Sequence, residues 1–348
     1  MRVSLTRLSW RGREHGAAAI IVAMSTTVVI GFLAFVTDFG MAYTNKRGLQ
    51  NGADAAALAV AQEIAVNGAP TATCSQLEAT WQGPGQPIAA EYFARNHSAE
   101  ATISGFDLAC VDGKQLTVSV DASQESPTFF GGVFGAGDDI ALVQSAIAVV
   151  APAKTVLGLR PFAMCLGLAQ TVIGSPASNH MLVLDNADFG CGGASGNWGM
   201  IDFNGGSNPT SESVDWIDNG YSGPISTAPP VYIAGDPGAP SPGALEGPMN
   251  SLLDDEITIP VYDLLAGNGN NATFRVMGFL SIKVCGWKFN NQQGQGACFV
   301  SSLVPSPVPH DYMQVRYAGF VPIGDISEAC TLSNTACDLG TRLFKLAE

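Results

Sequence analysis

The sequence predicts an α+β fold in which a long N-terminal transmembrane helix is followed by a β-rich exterior domain held together by disulfides. Three observations predict it: an uncharged run near the start, strand-like alternation beyond residue 100, and eight cysteines that all follow the run. Hydrophobic residues make up 47% of the 348 residues, which excludes global disorder. The net charge of −14 argues against nucleic acid as a partner, because such binding needs a basic surface.

The uncharged run has 21 residues and extends from Ala17 to Thr37. At about 1.5 Å per residue, a helix of this length is roughly 31 Å long, close to the hydrocarbon thickness of a bilayer. A cleaved signal peptide is one alternative, but its apolar core is usually about 7–15 residues long. A buried core helix is another, but it normally has a polar face. The run favours an uncleaved single-pass span with the lipid bilayer as its partner.

Charge is distributed unevenly on the two sides of this run. Arg2, Arg7, Arg11 and Arg13 precede it, whereas residues 48–348 carry 10 Lys and Arg against 28 Asp and Glu. Basic residues usually stay on the cytoplasmic side of a span. We therefore expect a cytoplasmic N-terminus and an extracytoplasmic remainder.

Helical character continues beyond the span. The stretch from Tyr43 to Val66 is rich in good helix formers, and its apolar residues recur at helical spacing. This stripe consists of Leu49, Ala53, Ala56, Val60 and Ile64. Gly68 and Pro70 predict the end of the helix. The stripe is expected to pack on a soluble domain.

Strand patterns follow the helix. Residues 101–109 and 114–122 flank Asp112-Gly113, a pair that favours a tight hairpin turn. An apolar patch, PTFFGGVFG, follows at residues 127–135, and residues 140–151 predict a further strand. Beyond residue 153 the composition shifts to Gly, Asn, Pro and aromatic residues. The strands expected there are 181–185, 257–263, 273–285 and 313–321.

Cysteine usage agrees with an exported domain. The eight cysteines are Cys74, Cys110, Cys165, Cys191, Cys285, Cys298, Cys330 and Cys337. An even number on the predicted outer side favours disulfides. Sequential pairing is the simplest of the possible arrangements, because each bond then closes a local loop. Zinc binding is the alternative, but it needs closer Cys pairs or His partners.

Catalytic motifs are not evident. His15, His97, His180 and His310 are far apart in sequence and lie in no recognised motif. The acidic run Asp254-Asp255-Glu256 offers oxygen ligands that suit Ca²⁺, but three adjacent acids point in different directions, which favours a solvated cluster. We expect no enzyme activity, no cofactor and no metal.

The N-terminal region resembles the TadE/TadG-like family of tight-adherence (Flp-type) pilus assembly. The resemblance is carried by Arg13-Glu14-His15-Gly16, by Val36-Thr37-Asp38-Phe39-Gly40 and, most specifically, by the run from Leu49 to Ala59 (LQNGADAAALA). It covers roughly residues 12–66 and extends loosely to about 150. It implies a bacterial single-pass envelope protein with a pilin-like long helix. The Glu that prepilin processing requires five residues after Gly is replaced by Ile21, so no processing is expected.

The predicted organisation has four parts: a cytoplasmic N-terminus (1–16), a transmembrane helix (17–37), a helix extension with a small α+β pilin-like module (38–152), and a β-rich extracytoplasmic domain (153–348). The resemblance implies a structural or assembly component, such as a minor pilin-like subunit, with pilin-like or pilus-assembly proteins as partners. Small residues such as Gly31, Ala34 and Ala42 are expected to let partner helices approach closely.

The alternative is an anchored hydrolase or carbohydrate-binding protein. A cleft containing Asp202, Asp215, Trp216 and Tyr221 would favour it.

Overall fold

The fold is given by a computed structural model, which describes residues 14–97, 101–131, 139–183, 191, 197–206, 209–227, 229–237, 242–267, 271–289, 291–309 and 311–347. The helices are α1 (Glu14–Asn67), α2 (Cys74–Trp81), α3 (Gly85–Asn96), α4 (Leu166–Gly174), α5 (Thr210–Asn219) and α6 (Pro242–Ser251). The strands are β1 (Thr102–Val111), β2 (Gln115–Pro127), β3 (Asp139–Val156), β4 (Met164–Cys165), β5 (Asn179–Val183), β6 (Asn197–Asp202), β7 (Ile225–Ser226), β8 (Val231–Pro237), β9 (Glu256–Ala266), β10 (Thr273–Phe289), β11 (Gln292–Gln295), β12 (Asp311–Tyr317), β13 (Gly324–Ile326) and β14 (Arg342–Leu346). The predicted α+β class is confirmed.

Helix α1 is continuous over 54 residues, about 81 Å. The predicted span and the predicted extension are thus one helix. It ends where the sequence indicates: the N–H of Gly68 donates to the carbonyl of Ile64 at 2.9 Å. A Cβ on Gly68 would lie 2.3 Å from that carbonyl oxygen, so only glycine fits there.

The first sheet packs on the second half of α1. Strands β1, β2 and β3 form an antiparallel meander, and the predicted turn is present, with both Asp112 and Gly113 at positive φ. Burial alternates along β2, so that one face of the strand contacts α1. The core between them joins Leu49, Val60 and Ile64 of the helix to Leu116 and Val118 of the sheet.

Strand β3 connects the first sheet to the rest of the molecule. Its second half pairs with β7, β13 and β14, which come from far along the chain. The predicted boundary between residues 152 and 153 therefore falls inside β3. The buried residues Val149 and Val156 of this strand belong to a core that also contains Phe274 and Val276 of β10.

The second sheet has the order β4-β9-β10-β12-β5, with β8 and β11 also paired to β10 and β6 paired to β8. Strands β5, β9, β10 and β12 correspond to the four strands expected from the sequence. Helices α4 and α6 cover one face, where Val172 and Met249 pack beside Ile259 and Val284. The β-rich second region is therefore folded around its own core.

Four disulfides join the eight cysteines in sequential order. The pairs are Cys74–Cys110, Cys165–Cys191, Cys285–Cys298 and Cys330–Cys337. The first ties the start of α2 to β1, and the last closes a short loop just before β14. Each bond therefore holds neighbouring parts of the chain together.

Candidate functional site

The first half of α1, from Ile20 to Phe39, is an apolar segment whose side chains are mostly exposed; we call it the rod. Bulky side chains on all its sides are largely exposed, among them Ile20, Val28, Phe32, Leu33 and Phe35. A helix of a soluble protein would bury one such face. Within the described ranges, α1 is the helix that is long and apolar enough to cross a membrane. Its surface is that of a helix that could span a membrane.

Two of the hydroxyl groups in this rod, those of Thr27 and Thr37, have partners within the helix itself. The Oγ1 atoms of Thr27 and Thr37 donate to the carbonyls of Ala23 and Leu33, at 3.0 and 2.9 Å. Such bonds one turn back satisfy a hydroxyl without water. These two polar side chains are therefore compatible with a lipid environment.

Aromatic side chains, followed by a basic one, lie at the C-terminal end of the rod. Phe35 and Phe39 stack with ring centroids 5.6 Å apart, and one turn later Arg47 lies over the ring of Tyr43 at 5.7 Å. Aromatic rings followed by basic groups are typical of the zone between hydrocarbon and water. A span formed by this helix would end between Thr37 and Tyr43.

Asp38 connects this end of the rod to the β2–β3 hairpin. Its two carboxylate oxygens accept hydrogen bonds from the backbone N–H groups of Phe129 and Phe130, at 2.8 and 3.0 Å. Beside these bonds lies an apolar cavity of about 390 Å³. It is lined by Gly31, Phe35 and Phe39 of α1 and by Thr128, Phe130 and Ile140 of the hairpin.

The second half of α1 has the opposite character, because small residues form its buried side. Ala53, Ala56 and Ala57 are completely buried against the sheet and α3. A Cβ on Gly52 would lie 2.9 Å from the ring of Phe93, so this glycine lets α3 approach closely. The LQNGADAAALA run is thus a helix-packing sequence.

Two polar residues of α1, Gln50 and Asn45, donate hydrogen bonds to the β2–β3 hairpin. The Nε2 of Gln50 donates to the Asp54 carboxylate at 2.7 Å and to the carbonyl of Ser145 in β3 at 3.3 Å. One turn earlier, the Nδ2 of Asn45 donates to the Ser126 hydroxyl at 2.9 Å. These bonds fix the rotation of α1 relative to the hairpin.

The residues expected to pack in α1 fall into two groups. Leu49, Ala53, Ala56 and Val60 lie in the core of the first sheet, as the stripe predicts. Ala34 and Ala42 are also buried within this chain, at 2% and 8% exposure, and Gly31 is half-buried. The idea that Ala34 and Ala42 face a partner helix does not fit this structure, because the chain itself covers them.

A buried ion pair holds the end of α1. The guanidinium of Arg342, on β14, lies 3.0 Å from Asp338, and both side chains are at most 1% exposed. The guanidinium also donates to the carbonyls of Ala69, Pro70 and Ala72, just beyond α1. The C-terminal strand therefore clamps the chain where the long helix ends.

Two of the residues named for a carbohydrate or hydrolase site, Trp216 and Tyr221, lie close together, with ring centroids 5.7 Å apart, whereas Asp215 is exposed and accepts a hydrogen bond from Asn219. Phe203 stacks on Tyr221 at 4.9 Å and meets the edge of Trp216 at 5.4 Å. Trp216 is only 5% exposed, so its ring packs inside the protein instead of facing a cleft. Asp202 accepts the backbone N–H groups of Asn204 and Gly205, which is the geometry of a turn.

Burial raises the pKa of Asp236 to about 6, assisted by the charges of Asp202 and Glu212 and opposed by a hydrogen bond from Ser213. The described contact of this carboxyl group is a hydrogen bond from the Ser213 hydroxyl. Among the described residues, no group of three or more His, Cys, Asp or Glu side chains is placed to hold a metal ion.

Asp254, in the acidic run weighed for Ca²⁺, instead accepts the backbone N–H groups of Ala297 and Cys298. His97 stacks on Phe93, and His180 lies near the carbonyl of Ser175. His310, residues 1–13 and the side chain of His15 lie outside the described part of the chain.

Sequence reasoning missed several features of this region. Helices α2 and α3 were not expected, although Thr73 and Gln76 form a capping box whose pattern is visible in the sequence. The contact of Asp38 with the hairpin and the return of β14 were also missed. Both join residues about 90 or more positions apart, so no local pattern indicates them.

Comparison with known proteins gives one match. Residues 16–63 match the model of the Tad family, described as Flp pilus-assembly TadE/G-like. Neither the curated proteins nor the solved structures give a significant match. The matched residues include the rod and nearly all of the packed half of α1, so the predicted resemblance is confirmed over this range. Over residues 16–63, therefore, this chain is similar to the Flp pilus-assembly TadE/G-like family.

Proposed function

We propose that this protein is a membrane-anchored structural or assembly component of a tight-adherence (Flp-type) pilus system, acting as a minor pilin-like subunit without catalytic activity. One observation carries the proposal. The segment that matches the pilus-assembly family is a single helix, bare and apolar in its first half and packed on a folded domain in its second. Such a helix suits a subunit that is held in the membrane while its domain is presented outside.

The orientation follows from charge and from the disulfides. The basic residues before the span favour a cytoplasmic N-terminus in the bacterial cell membrane, and the acidic domain would then lie outside. Four disulfides within that domain suit an oxidising compartment.

Partners would meet the exposed side of the rod. Because Ala34 and Ala42 are covered by this chain, the surface left for a pilin-like or pilus-assembly helix is formed by bulky residues such as Val28, Phe32 and Val36. In lipid, helices associate through van der Waals packing and not through apolar burial. This surface is therefore suited to lateral contact inside the membrane.

Deletion of the gene and complementation test the proposal. We expect the deletion strain to lack surface pili in electron micrographs and the wild-type gene to restore them. Phe32→Asp, in the middle of the rod, should fail to restore them, because a charge in the span opposes insertion. Ile323→Asp, at a residue that is 79% exposed on the domain, is the matched control and should restore them. Normal pili in the deletion strain would refute the proposal.

Topology is tested separately on the full chain. A C-terminal epitope should be removed by protease added to intact spheroplasts, and alkaline carbonate should leave the protein in the membrane pellet. If the protease removes the epitope only after the membrane is broken, the C-terminus lies in the cytoplasm and the proposed orientation is wrong.

A further inference from the structure

The hairpin between β2 and β3 reaches further along α1 than the rest of the folded domain that the structure describes. The described residues that follow β2, Thr128–Gly131, lie against α1 between Gly31 and Phe39, and we call these four residues the tip of the hairpin. Gly31 is seven residues before Asp38, which corresponds to about 10 Å along the helix axis. The tip therefore extends beside a part of α1 that belongs to the uncharged run.

The chemistry of the tip suits lipid. Between Glu125 and Asp138 the sequence carries no charge. Phe129 is 64% exposed and Phe130 38% exposed, beside the exposed rings of Phe35 and Phe39. Phe side chains of segments that bind a membrane surface are buried at the boundary between headgroups and acyl chains.

Asp38 provides hydrogen-bond partners for two backbone N–H groups of the tip, which lowers the cost of placing this loop near lipid. Irregular backbone is unfavourable in a bilayer because its N–H and C=O groups lack partners. Here the carboxylate of Asp38 accepts the N–H groups of Phe129 and Phe130. The same bonds offset part of the free-energy cost of removing the Asp38 carboxylate from water at the end of the span.

We propose that the tip of the β2–β3 hairpin is a second membrane-contact element, which places Phe129 and Phe130 among the headgroups and upper acyl chains beside α1. This inference rests on the anchoring of α1 proposed above. Because the tip is bonded to α1 at the end of the uncharged run, insertion of that run brings the tip to the bilayer surface. Lipid chains are then the occupants of the apolar cavity of about 390 Å³ between Phe35 and Phe130.

Photocrosslinking of the full-length protein in nanodiscs of phosphatidylethanolamine and phosphatidylglycerol tests this. A benzophenone amino acid replaces one exposed residue at a time: Phe32 in the rod, Phe129 at the tip, or Ile323 as control. Ile323 precedes β13 at the far end of β3, about 50 Å along that strand from Ile140. After irradiation, intact mass spectrometry measures the fraction of protein joined to lipid.

We expect lipid adducts at Phe32 and Phe129 and at least tenfold less at Ile323. Adducts at Phe32 without adducts at Phe129 would overturn the inference and leave the anchor intact. Crosslinks from Phe129 to a second copy of the chain instead of lipid would also overturn it, since the cavity would then be a protein interface. The absence of adducts at Phe32 would reject the anchor, and the inference with it.

Discussion

The two halves of α1 have similar apolar content but opposite surroundings. Leu33 in the first half is 60% exposed, whereas Leu49 in the second is completely buried. The first half has bulky side chains on every side, and the second has alanines on one side and polar residues such as Gln62 on the other. Bulky residues all round indicate a lipid solvent, whereas a small one-sided stripe indicates a protein surface at close distance.

This comparison divides two tasks between the halves. Substitutions in the second half should change the free energy of unfolding, because its contacts with the sheet are lost when the domain unfolds. Substitutions in the first half should change membrane insertion instead, because this half contacts little of its own chain. Substitutions in and around the helix can therefore be sorted by which quantity they change.

The largest expected effect is at the clamp on the end of the packed half. Arg342→Met should lower the free energy of unfolding by about 3–5 kcal/mol, because it leaves Asp338 as an unpaired buried charge and frees the carbonyls after α1. Thermal and denaturant unfolding of the detergent-solubilised protein measure this change.

Lys345→Met is the matched control for the clamp. Lys345, on the same strand as Arg342, also pairs with a carboxylate, that of Asp325, but both side chains are more than half exposed, and exposed pairs contribute little. We expect almost no change in the unfolding midpoint. Equal losses in the two variants would show that the C-terminal strand is no special support of α1.

A matched pair of leucines tests the comparison directly. Leu49→Ala should lower the free energy of unfolding by about 2–5 kcal/mol, because it leaves a cavity in the core. Leu33→Ala should change it by less than about 0.5 kcal/mol, because Leu33 lies outside the folded domain's core. Similar losses at the two sites would mean that the halves are not distinct.

The local pattern of α1 was sufficient to predict it. The uncharged run, the stripe beginning at Leu49 and the stop at Gly68 all depend on residues within a few turns of one another. The hairpin at Asp112-Gly113 is local in the same sense. These elements could be predicted because their cause lies within the segment itself.

Long-range pairing could not be predicted in this way. Strand β14 joins β3 across almost 200 residues, and Arg342 reaches Ala69 across 273. Nothing in RLFKL indicates which strand it will pair with. The same limit applies to the candidate site, where the carboxylate of Asp38 was visible in the sequence but its partners, Phe129 and Phe130, were not.

A change of pH should alter the stability of the second sheet, which contains Asp236, and leave both halves of α1 unchanged. Burial raises the pKa of Asp236, on β8, to about 6 from its ordinary value of 3.8. The folded state therefore binds this proton more tightly than the unfolded state, and stability falls as pH rises from 4 through 6. Asp236→Asn should increase the free energy of unfolding by about 1–2 kcal/mol at pH 7.5 and leave it nearly unchanged at pH 4.

Unfolding midpoints at the two pH values measure the Asp236 effect. The exposed Asp215→Asn is the control for the same substitution outside a buried site. A gain from Asp236→Asn that is as large at pH 4 as at pH 7.5 would contradict the raised pKa. Amide exchange in the packed half of α1 should remain unaltered throughout, since its contacts with the sheet are mainly apolar.

The smallest effect on stability is expected at the junction of the two halves. Asp38→Asn leaves one strong acceptor where the carboxylate had two, so the N–H groups of Phe129 and Phe130 should exchange with solvent about tenfold faster. The unfolding midpoint should hardly move, because neither half of α1 loses its main contacts. Asp121→Asn, on β2 and bonded to Ser145 instead of α1, is the control and should leave these two amides protected. If Asp38→Asn leaves them equally protected, the hairpin tip is held by its own strands and not by the helix, and the junction belongs to the domain alone.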